Sequence, residues 1–193
     1  MLQQVHLTIT SKISGHAAVA PYSHAHGLQL LVDKFGQNYA VVYDVPAYEV
    51  RIDGGDTYAA IRFGLQNDGV WPAKSNTRKC DAGLFEKRTC TPSWDSNYSP
   101  HSFHGGPLKG AWVLLPGQSF LIHEGPDRNK GGIGGSLGCV EILDGRWKAF
   151  LTQIEKLAGG SCASIGAARK LSVSIEAGSY PMGTLLGAVP VKL

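Results

Sequence analysis

The chain has 193 residues with a formal net charge of +3. Hydrophobic residues make up 43% and charged residues 17%, a globular composition that excludes a disordered or fibrous chain and suffices for one domain with a buried core. The charge is too small and too dispersed to call for nucleic acid, and no stretch approaches the roughly 18 apolar residues of a membrane span.

Met1 to Ser11 lack the charged start and apolar run of a secretory signal. The expectation is therefore a chain that is cytosolic when made, a trimmed mature form, or one exported without a cleaved signal. Residues 3 to 9 alternate loosely and predict an edge strand, and residues 15 to 27, with His16, Pro21, His24, His26 and Gly27, predict a loop. Tyr39 to Val45 is a short apolar strand that Pro46 should end. Tyr48 to Ile52 and Thr57 to Phe63 flank Asp53-Gly-Gly-Asp56, which signals a β-hairpin.

From Asn67 to Pro107 the chain is polar and carries Trp71, Pro72, Cys80, Cys90, Pro92, Trp94 and Pro100. A segment of this length is expected to be a lid or insertion within a single domain spanning 1–193. Cys80 and Cys90 close a short loop. A disulfide there, implying an oxidising compartment, stands beside the alternative of two unrelated thiols. The spacing does not make a zinc site. His24-Ala-His26 with His16 is weighed as a metal site and set aside for a polar loop, so neither metal nor cofactor is called for.

Regular structure resumes at Ala111 to Leu115, turns at Pro116-Gly117 and continues as Ser119 to Glu124. A glycine-rich loop leads to Cys139 to Leu143. One helix is clear, with Asp144 as its N-cap, Trp147, Phe150, Leu151, Ile154 and Leu157 at helical spacing, and Gly159 as its stop. Lys170 to Glu176 alternates as a half-buried strand, Cys162 is assigned a structural role, and short apolar pieces run on to Leu193. The fold class expected is mostly β with one clear α-helix.

The chemistry concentrates in Ile122-His-Glu-Gly-Pro-Asp-Arg-Asn-Lys-Gly-Gly-Ile-Gly-Gly-Ser-Leu-Gly-Cys-Val140. A strand ends on a histidine, a loop of many glycines follows, and Ser136-Leu137-Gly138-Cys139 opens the next strand. Thiol chemistry needs an imidazole to take the proton and backbone donors for the developing oxyanion. Papain-like and NlpC/P60-like hydrolases place Cys before His, whereas here the histidine comes first.

This segment resembles the signature of the L,D-transpeptidase (YkuD-like) catalytic domain. That signature is a His, a loop, then Ser/Thr-His-Gly-Cys and an apolar residue. The resemblance covers residues 110 to 143 and implies a YkuD-like β-sandwich, with His123 as base and Cys139 as nucleophile forming a thioester with a peptidoglycan stem peptide. A backbone carbonyl or hydroxyl near Glu124 or Gly125 would orient the imidazole. Ser136 and Gly138 match the family's Ser and Gly, and Val140 its apolar residue. Leu137 replaces the second His, Glu141 stands where Asn or Arg is common, and the loop, with twelve residues between His123 and Ser136, is slightly short. Ser136, Leu137 and Gly138 would line the oxyanion and substrate side.

Two further contacts are candidates beside plainer alternatives. Arg128 is placed to meet a stem-peptide carboxylate bidentately, or to sit in a solvated charged loop. His104 or His101 would touch substrate in place of the missing histidine, or belong to an ordinary turn. Trp94, Tyr98 and Trp112 are assigned to core or lid packing.

Antibacterial effectors related to this family relax the motif to Ser-x-Gly-Cys. That likeness implies delivery by a type VI secretion machine, action in the periplasm or at the cell wall, and an immunity protein or secretion-machine component as partners beside peptidoglycan. A non-catalytic wall-binding or structural relative, and a cysteine hydrolase on a non-wall substrate, are the rival readings.

Overall fold

The computed structural model describes residues 1–23, 27–28, 30–65, 77–80, 82–99, 108–115, 120–135 and 138–190. The N-terminal part forms β1 (Val5–Val19), β2 (Tyr22–Ser23), β3 (Gly27–Leu28), β4 (Leu30–Val32), β5 (Asn38–Ile52), β6 (Thr57–Ile61) and β7 (Phe63–Gly64). Then come β8 (Thr77–Lys79), β9 (Ala82–Gly83), β10 (Arg88–Cys90) and β11 (Ser93–Asp95). The C-terminal part holds β12 (Ala111–Leu115), β13 (Phe120–Glu124), β14 (Val140–Ile142), helices α1 (Trp147–Ala158) and α2 (Cys162–Ala167), β15 (Leu171–Ile175) and β16 (Met182–Pro190). The fold is mostly β with one long helix. No helix among the described residues is long and apolar enough to cross a membrane.

Twelve strands make one sheet in the order β10-β15-β1-β5-β6-β14-β13-β12-β11, with β16 and β4 also on β5 and β8 on β16. Two long strands, β1 and β5, organise it. Their antiparallel register slips between Ile9 and Ile13 and again between Ile13 and Gly15, and such bulges bend a strand and sharpen its twist. The two ends therefore serve different cores. Leu7, Ile9, Val50 and Ile52 pack with Trp112, Ile122, Val140 and Ile142 beneath Trp147, Phe150 and Ile154 of α1. Ala17, Val19, Tyr43 and Val45 pack with Ile61, Phe63 and Phe85.

Several expectations are corrected here. The strand at residues 3 to 9 is not at an edge: β1 lies between β15 and β5 and runs on to Val19, so the loop expected over 15 to 27 begins later. Pro46 does not end a strand. It falls where β5 passes from β16, paired up to Asp44, to β6, paired from Tyr48, so one flank has no ladder for a missing N–H to break. The hairpin around Asp53 forms as expected, with Tyr48 opposite Ala60. Asp144 is not an N-cap. It sits at φ 62 in a turn with Gly145, Arg146 occupies the cap position without a side-chain bond, and Gly159 closes the helix at φ 75.

The described part of the 67–107 segment is built into the sheets. β10 pairs with β15, β11 with β12 and β9 with β7. Cys80 and Cys90 form no disulfide. Cys80 is buried in the second core, whereas Cys90 packs on the first, 3.8 Å from the Val173 carbonyl.

Arg62 ties these pieces together. Fully buried, it donates from Nη1 to Thr10 O at 2.7 Å and from Nη2 to Leu84 O at 2.5 Å and Glu176 O at 2.9 Å. Its guanidinium lies 4.5 Å from the Phe85 ring centroid. Arg62→Met would strand three buried carbonyls and is expected to cost about 3–5 kcal/mol in urea unfolding. Arg62→Lys should recover only part of this, because its single nitrogen cannot reach acceptors that the guanidinium spans from Nη1 and Nη2. Equal stability of Arg62→Met and the parent protein would contradict this role.

Candidate active site

The parallel pairing of β13 with β14 builds the site. Ile122 lies opposite Val140, His123 opposite Glu141 and Glu124 opposite Ile142. Side chains alternate along a strand, so Ile122 and Val140 enter the first core while His123 and Glu141 share the other face. On the next strand Glu141 is opposite Ile61, which belongs to the second core. Cys139, two residues before Glu141, falls on the same face. Its thiol feels the Glu141 charge and accepts a hydrogen bond from the Leu121 backbone. One face thus carries imidazole, carboxyl and thiol.

His123 is 1% exposed, and its Nδ1 lies 2.6 Å from the carbonyl oxygen of Glu124. A carbonyl only accepts, so Nδ1 carries a proton, and in the neutral ring Nε2 then keeps its lone pair. The Tyr98 ring covers the imidazole, with centroids 5.1 Å apart. Tyr98 is therefore packing from the 67–107 segment. Trp94 and Trp112 are register partners in contact at 5.0 Å and pack in the first core.

The loop between His123 and Cys139 is held at both ends. Asp127 caps the turn Arg128–Lys130 by accepting from the Asn129 N–H. Gly134 then bridges to Val19, exchanging backbone bonds with Ala18 at 2.8 Å and Ala20 at 2.9 Å. Glycine is required at Gly138: its φ is 111, and a Cβ would meet Phe120 Cε1 at 2.7 Å and the Gly83 backbone at 2.8 Å. This close approach brings β9 against the residue before the thiol. Cys139 is left 8% exposed, and burial pushes its thiol up to about 12. The covered thiol is thus the opposite of a depressed, freely reactive one.

Arg128 is corrected from a substrate ligand to a loop anchor. Its Nε donates to Asp144 Oδ1 at 2.8 Å, its Nη2 to Asp144 Oδ2, and its Nη1 to His16 O at 3.0 Å, so the fork is occupied. The competition for Asp144 also explains why that residue does not cap α1. Ser136, Leu137, His101, His104, His24 and His26 lie outside the described residues. His16 pairs with Asp44 at 2.9 Å, and Cys162 is buried at the start of α2, its thiol pushed up to about 12.

Sequence reasoning treated Glu141 only as a departure from a motif. Two residues along a strand from the cysteine, it had to share the cysteine's face, and that alternation was the available signal. No family model matches the chain, and neither curated proteins nor solved structures yield a match.

Proposed function

We propose that the protein is a cysteine-dependent acyl-transfer enzyme acting on peptidoglycan stem peptides, with Cys139 as nucleophile and His123 as base. The observation that carries this reading is the shared face of β13 and β14, on which the His123 imidazole is locked by the Glu124 carbonyl. This fixes Nε2 as the proton acceptor, and a carbonyl beside the histidine is the orienting group that the sequence resemblance implies.

With the thiol pushed up to about 12, a preformed thiolate–imidazolium pair is disfavoured at neutral pH. His123 therefore acts as a general base during attack: the thiol proton passes to Nε2 as sulfur bonds to the stem-peptide carbonyl. His123 then returns the proton to the departing amine, leaving a thioester. Water resolves it in a carboxypeptidase, and an amine in a transpeptidase or exchange enzyme.

Expression directed to the periplasm, followed by muropeptide analysis, tests this. Stem peptides should be shortened or exchanged by the parent protein and untouched by Cys139→Ala. Identical muropeptides in both, with the protein present and folded, would sink the proposal. Cleavage of all-L peptides would favour a hydrolase on a non-wall substrate. A second reading, a binding module that keeps the fold without the chemistry, draws on the burial of Cys139; it predicts muropeptide binding that Cys139→Ala retains.

A further inference from the structure

The chemistry above makes no use of Glu141, whose side chain is fully buried among the groups it does use. It stands opposite His123 on the neighbouring strand and two residues beyond Cys139 on its own. Its carboxyl turns toward the glycine-rich loop, where the Gly135 backbone favours its charged form. Its Oε2 lies 3.0 Å from where a Gly134 Cβ would stand.

Among the described residues, the ionisable groups around it are these. His123 faces it from β13, Cys139 from the start of its own strand, and Tyr98 lies over the imidazole. β6 presents Ile61, the end of β1 presents Val19, and the loop presents glycine backbone. Arg128 is held away by Asp144. A carboxyl in such surroundings favours its neutral form, and burial pushes Glu141 up to about 8.

We propose that Glu141 is a positioning residue of this site: packed between His123 and the glycine-rich loop, its charge state governs how readily the Cys139 proton leaves. The inference rests on the acyl-transfer reading. As a neutral acid Glu141 leaves proton transfer from Cys139 to His123 unopposed. As a carboxylate it opposes negative charge on sulfur and holds a proton on the imidazole. Both effects slow the reaction, so turnover acquires a falling alkaline limb.

The test uses carboxyl-carbon and imidazole magnetic resonance on the intact protein. The Glu141 side-chain carboxyl signal is expected to titrate near pH 8, and the His123 ring signals to inflect at the same pH. Glu141→Gln should remove that inflection and, where turnover is measured, slow the fall in rate above about pH 8 by roughly tenfold per unit of coupling. A Glu141 signal titrating in the ordinary carboxylate range, or a His123 ring blind to it, would overturn the proposal. Because the titration is read in the parent protein, the test survives a Gln variant that fails to fold. Coupled titration in a protein inert on every stem peptide would reject the acyl-transfer reading and leave Glu141 a purely electrostatic neighbour. Turnover whose alkaline limb is unchanged in Glu141→Gln would do the reverse.

Discussion

Glutamine in place of His123 is expected to lower stem-peptide turnover by about 10³-fold or more while the chain stays folded. The structural part of this expectation follows from the site. Nδ1 donates to the Glu124 carbonyl at 2.6 Å, and a glutamine amide can offer a donor there and fill most of the space beneath Tyr98. A cost of about 1–2 kcal/mol in unfolding is expected from imperfect packing. His123→Ala is the poorer variant, because it empties a buried site and leaves the carbonyl unmet.

The chemical part follows from the thiol. At about 12, Cys139 is almost wholly protonated at neutral pH, so attack without a base must wait for hydroxide. The residual rate of His123→Gln should therefore climb about tenfold per pH unit across the neutral range, a climb not expected of the parent protein. Rates measured with purified muropeptides at several pH values check both statements. A His123→Gln rate within a few-fold of the parent, or one flat with pH, would remove His123 from the base role.

Much of this site was legible because its logic is local. Gly-rich chain between a strand-ending histidine and a strand-opening cysteine implies a return to an adjacent strand, and the parallel pairing of β13 with β14 is such a return. The hairpin around Asp53-Gly-Gly-Asp56 was legible for the same reason, since turn chemistry acts on near neighbours. What escaped was set by distant pairing. Nothing near residues 5 to 9 announces that β15 will lie along β1. Pro46 survives inside β5 only because of how β6 and β16 divide that strand's flank. Asp144 satisfies the local rule for a cap, but Arg128 claims it from across the loop. Gly138, beside Cys139, packs against Gly83, contributed by a segment more than fifty residues earlier in the chain, a contact that the motif itself does not announce.

The largest pH-dependent change in stability should come from Glu141. Its folded state holds a proton up to about pH 8, whereas the unfolded chain releases it near the ordinary value of 4.5. Stability from this group is complete below the unfolded value and drains as pH rises from there to about 8. The loss at pH 7 is about 3 kcal/mol. The thiols of Cys139 and Cys162, raised from 9 to about 12, add nothing below their unfolded value. Carboxyls held low by cations, Asp144 by Arg128 and Glu49 by Lys12, act with the opposite sign and at lower pH. They lose their contribution only as pH falls through the ordinary carboxylate range. The two windows meet near pH 5, where the protein should be most stable. The urea midpoint should fall between about pH 5 and about pH 8 in the parent protein, and much less in Glu141→Gln, which carries no proton to lose. Parallel curves for the two proteins would mean that the carboxyl is ionised and accommodated at neutral pH, and the acid beside His123 would then be no pH switch for the thiol. A gain in stability on removing Glu141, accompanied by a changed pH dependence of turnover, would identify a buried acid kept at the expense of stability because the site uses it.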